Sequence, residues 1–151
     1  MMKIREAVVD YLEEKKWPYI DKENIFKVDV EGDDCVWQSF INVEEDIESV
    51  VYYGVFPNRV PEEKFDMIEA VIGSLNLGFK FGNFELNKQG GELRYKTYQM
   101  FPEGDYDKKM FLENLFLSNI YAMDQTIGVL QKSIFTDMNI EELIVALDQS
   151  K

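Results

Sequence analysis

The chain has 151 residues, 46% hydrophobic and 14% aromatic, with 29 acids against 16 bases for a formal charge of -13. One domain of this size buries roughly two-thirds of its unfolded surface around a single core, and the low hydrophobicity that marks disorder is absent. The charge repels nucleic-acid phosphate and anionic lipid, the lone Cys35 excludes an internal disulfide and cysteine-pair zinc sites, and the lack of histidine removes the commonest general base and metal ligand.

Residues 3 to 16 carry Ile4, Val8 and Leu12 at helical spacing among charges, which predicts a first helix. Trp17-Pro18 ends it, because the residue before proline avoids the helical region. No apolar run here is long enough for a signal peptide or a membrane span, so a cytoplasmic protein with no membrane partner is expected.

From residue 25 the apolar period becomes two, with Phe26, Val28 and Val30 alternating with charges, and Gly32-Asp33 offers a tight turn into CVWQSFINV. Pairing Glu31 with Asp34 sets Val30 opposite Cys35, Val28 opposite Trp37 and Phe26 opposite Ser39. Beyond the acidic loop Glu44-Glu45-Asp46, pairing Val43 with Ile47 sets Ser39 against Val51 and Trp37 against Tyr53. On that register the opposite face carries Val36, Phe40, Val50 and Tyr52. This apolar stripe needs a cover, either the long C-terminal helix of the same chain or a partner at a dimer or client surface.

VPEEKFDMIEAVIGSLN predicts a second helix with Pro61 at its first position and Phe65, Ile68, Ile72 and Leu75 on one face. The stretch GSLNLGFKFG that closes it comes near the spacing of a phosphate-binding loop, but Gly78 is followed by Phe79, Lys80 comes one residue late, and a helix end leads into a strand. Gly78 reads instead as a helix-terminating glycine and Gly82 as the entry to a strand. Phe79 and Phe81 differ in parity from Phe84 and Leu86, so a bulge or non-strand step near Gly82 is needed if all four pack inward. In the hairpin that follows, a loop at residues 88 to 91 sets Leu86 opposite Leu93, Phe84 opposite Tyr95 and Glu85 opposite Arg94.

From Asp107, a predicted N-cap, to about Phe135, the residues Leu112, Phe116, Ile120, Met123, Ile127, Leu130 and Ile134 recur at steps of three and four. A long amphipathic helix is predicted there, and a short last one from about Asn139 to Leu147, with Ile140, Leu143, Ile144 and Leu147 inward. The expected fold is α+β, an antiparallel β-sheet with helices in the order αβββαββαα, within one domain over 1–151 of which 135–151 is a C-terminal helical extension.

Lys16-Trp17-Pro18-Tyr19 after the first helix, VPEEKF at 60–65, Asn76, Gly82-Asn83-Phe84-Glu85 and Gly91-Glu92-Leu93-Arg94-Tyr95 together resemble the YbjN-like family over roughly residues 1 to 135. These are small bacterial proteins labelled as sensory transduction regulators, with a fold similar to that of type III secretion chaperones. The resemblance implies a homodimer and a protein-binding habit, with a protein client held on apolar sheet and helix surface. It implies no enzyme.

The residues themselves suggest no catalytic site, metal or cofactor. Glu103-Gly104-Asp105-Tyr106-Asp107 begins like a calcium loop but has Lys108 and Asn114 where glycine and glutamate are needed, so it reads as a turn and helix cap. Cys35 reads as a small hydrophobe on the core face beside Trp37. The expectation is therefore a non-enzymatic dimeric protein-interaction module, chaperone-like or regulatory, with Val36, Phe40, Val50 and Tyr52 as its candidate surface. The alternative is a sensor of a small apolar ligand between the sheet and the long helix, with Trp37, Tyr53 and Phe116 as candidate lining.

Overall fold

A computed structural model of the chain describes residues 2–149; the last two residues of the expected C-terminal extension lie outside the described residues. The elements are α1 (Ile4–Lys15), β1 (Ile20–Lys22), β2 (Ile25–Glu31), β3 (Val36–Glu44), β4 (Ser49–Val55), α2 (Phe65–Gly78), β5 (Gly82–Asn87), β6 (Glu92–Met100), α3 (Lys108–Phe135) and α4 (Ile140–Gln149). This is the expected α+β order with one short edge strand, β1, added before β2. The strands form one antiparallel sheet in the order β1-β2-β3-β4-β6-β5.

The inner face of the sheet is covered by helices. α1 and the first half of α3 bury Val8, Leu12, Leu112 and Phe116 against Phe26, Ile41, Val50 and Tyr52. α2, the second half of α3 and α4 bury Ile68, Ile72, Met123, Leu130 and Leu143 against Trp37, Phe84, Leu93 and Tyr95. Val30 and Ile120 pack against both clusters, so the two halves of the core meet beneath α3.

α3 lies close against the sheet at Gly54. A Cβ there would stand 2.7 Å from Met123 Cγ and 2.8 Å from Asn119 Oδ1. In the same cross-strand row lies Ser39, so the two small residues form the seat into which the helix settles. The fully buried Asn119 donates from Nδ2 to the carbonyls of Tyr52 and Tyr95, each at 3.0 Å, and to Thr97 Oγ1 at 3.3 Å. One amide thus ties α3 to two adjacent strands.

Both N-terminal hairpin registers differ from expectation. β2 and β3 pair Glu31 with Val36, Val30 with Trp37 and Phe26 with Ile41, because residues 32–35 form a four-residue loop closed by Gly32 N–H donating to Cys35 O at 2.9 Å. That two-residue slip leaves every side chain on its expected face. β3 and β4 pair Val43 with Val50, Ile41 with Tyr52 and Ser39 with Gly54. Here the slip is three residues, an odd number, and it exchanges the faces of β4. Its cause is a 3-10 turn at Glu45–Ile47 followed by Glu48 in the left-handed region, φ 50°, which lengthens the loop.

The C-terminal hairpin pairs as expected, Leu86 with Leu93, Phe84 with Tyr95 and Glu85 with Arg94. Asp107 caps α3 by accepting from Lys109 N–H at 3.0 Å. Pro61 precedes a 3-10 turn at Glu62–Lys64 rather than opening α2 itself. Gly78 is the last residue of α2 and has no left-handed backbone; the helix closes through Phe79 N–H donating to Leu75 O at 3.1 Å. Phe79 packs edge-on against Phe84 and Tyr95, whereas Phe81 turns away, so only one of the two phenylalanines before β5 reaches the core.

Candidate functional site

The expected surface stripe divides between the two sides of the sheet. Val36 and Phe40 face outward, Val36 being 59% exposed, but the shifted β4 register buries Val50 and Tyr52 completely on the helix-covered face. The expected ligand lining is likewise not assembled. Trp37 and Phe116 are 1% and 0% exposed in different halves of the core, and Tyr53 lies on the opposite face beneath the Arg94 guanidinium, 4.3 Å from its ring centre.

Among the described residues, two open apolar surfaces stand out. One is the outer face of the sheet, where the cross-strand pairs Phe40 with Tyr53 and Val51 with Tyr98 lie side by side and no helix packs. The other is a groove of about 1030 Å³ walled by α2, α3 and α4 and floored by Phe79 and Tyr95. Leu117 and Tyr121 of α3 are 47% and 63% exposed along it, Phe81 is 74% exposed at its mouth, and Ile144 of α4 faces them. Burial pushes the Tyr95 phenol up to about 12.

Much of the glycine-rich stretch that fails as a phosphate loop lines this groove: Ser74, Leu75, Gly78, Phe79, Lys80 and Phe81. Several residues noted for their resemblance act as structural pins. Asn76 holds the edge of β5 in both directions, its Nδ2 donating to Phe84 O at 3.1 Å and its Oδ1 accepting from Phe84 N–H at 2.6 Å. Val60 N–H donates to Gly91 O at 2.8 Å, joining the lead-in of α2 to the β5–β6 turn. Lys64 Nζ donates to the carbonyls of Ser133, Ile134 and Thr136 at 2.6, 2.9 and 2.6 Å, closing the end of α3 where its dipole is negative. Replacing it, Lys64→Met, is expected to cost about 1–3 kcal/mol. Thermal melting measures the loss, and hydrogen exchange should rise first in the last turn of α3.

A second apolar line on α3 was present in the sequence. Once Leu112, Phe116, Ile120 and Met123 are assigned to the core, Leu117 and Tyr121 are left four residues apart on another face. Ile144, expected inward, is instead 40% exposed at the groove, while Leu143 and Leu147 carry the packing of α4. Among the described residues, no group of three or more cysteine, aspartate or glutamate side chains is placed to hold a metal ion, and no helix is long and apolar enough to cross a membrane. Cys35 is half-buried in the β2–β3 loop against the core cluster that includes Trp37.

The architecture defines a class: an antiparallel sheet covered on one face by helices, with an apolar groove among them and aromatic residues on the bare face. No family model matches the chain, and no curated relative matches its sequence. Among solved structures, the fold is similar to that of YbjN, described as "a putative transcription regulator from E. coli", with a TM-score of 0.63 over 82% of this chain and 91% of that one. Sequence identity is 9%, so the likeness is one of fold, and the fold is YbjN-like.

Proposed function

We propose that the protein is a non-enzymatic, cytoplasmic, homodimeric interaction module, chaperone-like or regulatory, that holds a segment of a protein client on apolar surface. The groove carries this reading. A concave apolar surface presenting exposed aromatic and leucine side chains on pinned helices is suited to anchoring the side chains of a partner. The YbjN-like fold is compatible with a regulatory role of this kind. Self-association is assigned to the outer face of the sheet, where Phe40 beside Tyr53 and Val51 beside Tyr98 give an aromatic centre flanked by Lys27, Lys96 and Arg94.

Two measurements test the reading. A peptide array probed with the wild type and with Leu117→Gln should show a set of apolar peptides whose binding the substitution weakens about tenfold; an array with no such set removes the client. Light scattering should give a dimer mass for the wild type and a monomer mass for Phe40→Asp. A monomeric wild type removes the homodimer.

A second reading, a sensor of a small apolar molecule, is favoured by the groove volume of about 1030 Å³, near the upper end of ligand pockets. Native mass spectrometry of protein purified from cells should then show a bound apolar molecule that Leu117→Gln releases.

A further inference from the structure

α4 is apolar on more than the side it buries. Leu143 and Leu147 fall in one buried cluster with Val71 and Leu75 of α2 and Leu130 and Ile134 of α3, whereas Ile140, Ile144 and Val145 of the same ten-residue helix are exposed. Its present seat therefore takes only part of the apolar surface it offers. From Ile140 to Ala146, among the described residues, hydrogen bonds and ion pairs stay within the helix and its own cap, Asn139, whose Oδ1 accepts from Glu142 N–H at 2.9 Å.

The helices beneath are fixed independently of it. The Lys64 clamp on the carbonyls of Ser133, Ile134 and Thr136 ends where the link to α4, residues 136–139, begins. The seat is also continuous with the groove. Val71, Leu75 and Leu147 belong both to the buried cluster and to the groove lining, so α4 is at once a wall of the groove and the plug of the apolar cleft beside it.

Resting on the client-binding reading, we propose that α4 is a displaceable occupant of the cleft between α2 and α3, and that a client helix with leucine-sized side chains four residues apart takes its seat. The chain itself shows what the cleft accepts: the apolar side of a short helix that enters with two leucines at that spacing. Two leucines are few anchors, and cap and link travel with the helix, which puts α4 at the low end of local stability. Ile144 gives an arriving helix its first contact opposite Leu117 and Tyr121, and exchange then joins groove and cleft into one longer apolar channel.

The probe is a labelled peptide of residues 136–149, the α4 segment with its cap. Leu143→Asp removes the resident anchor. Fluorescence anisotropy should show the peptide binding this variant about tenfold or more tightly than the wild type, because the seat is no longer filled in cis. A peptide with both leucines replaced by aspartate should bind neither protein. Apolar peptides selected on the array should gain affinity for the variant in the same sense, and unlabelled 136–149 peptide should compete with them. In the wild type, hydrogen exchange at the helical amides of Leu143 to Leu147 should be about tenfold or more faster than in the middle of α2 and α3. Circular dichroism and melting check that Leu143→Asp is folded; Leu147→Ala is the milder second variant, and the exchange measurement needs none.

Array peptides that bind wild type and Leu143→Asp equally, or that the α4 peptide does not displace, overturn the exchange while the client reading stands. Protection of α4 equal to that of α2 does the same. If Leu143→Asp instead loses the dimer mass in light scattering, the occupant of the cleft is the α4 of a second copy, and the client is overturned as its occupant. An array silent with the wild type removes the client reading, and the exchange with it.

Discussion

Gly91→Val is expected to lower stability by about 3–5 kcal/mol, combining the cost of a branched residue in the left-handed region with that of overpacking. Gly91 has φ 81°, and a Cβ built on it would run into the backbone carbonyl of Val60. Neither partner can give easily. Val60 is buried and its N–H is bonded to Gly91 O at 2.8 Å, so moving the turn breaks the link between the β5–β6 hairpin and the segment that leads into α2. Chemical denaturation measures the loss, and the melting temperature should fall by about 6–20 °C. A change below about 1 kcal/mol would mean that the turn relaxes and that this link does not hold α2 in place. The neighbouring Gly90 offers a contrast: it also has positive φ, 109°, but the atoms nearest an added Cβ belong to the flexible Arg59 side chain. Gly90→Ala should therefore cost less than Gly91→Val.

Asn119→Leu is expected to cost about 2–4 kcal/mol, because removing one buried donor leaves several acceptors without their partner. The lost bonds are those to Tyr52 O, Tyr95 O and Thr97 Oγ1, all inside the core. Leucine has nearly the same length, so the loss comes from hydrogen bonding rather than from a cavity. The seat is tight on the sheet side, where a Cβ on Gly54 would stand 2.7 Å from Met123 Cγ and 2.8 Å from Asn119 Oδ1. Urea denaturation gives the magnitude. A near-neutral result would mean that the strand ladders satisfy those carbonyls without α3.

Most elements are legible in the residues because their signals are local. The steps of three and four from Leu112 to Ile134, the Asp107 cap and the acid-base match of Glu85 with Arg94 each need only neighbours in sequence or across one short turn. β1 has no legible signal in the residues because three exposed residues carry no periodic pattern. The face of β4 was not legible for a different reason. Ser49 to Val55 is apolar at both parities, so alternation could not choose a register, and the choice fell to loop length and to the need for Gly54 beneath Asn119 and Met123.

The candidate site followed the same division. Val36, Phe40, Val50 and Tyr52 share a face only on the shorter β3–β4 loop, and Trp37, Tyr53 and Phe116 share a pocket only if Tyr53 points inward. The one odd-numbered slip undid both groupings. The groove brings together Phe81, Leu117, Tyr121 and Ile144 from three distant segments, and no spacing in the chain announces that meeting.

Composition and periodicity by themselves determined an acidic α+β chain with no histidine, a long amphipathic C-terminal helix and a self-consistent last hairpin, since each depends on residue type and short-range geometry. Only the tertiary structure decided which side of β4 faces the core, what Asn76 and Lys64 bind, and where apolar surface stays open. Those outcomes depend on loop lengths and on how closely α3 can approach the sheet, and both are settled by packing among segments far apart in the chain.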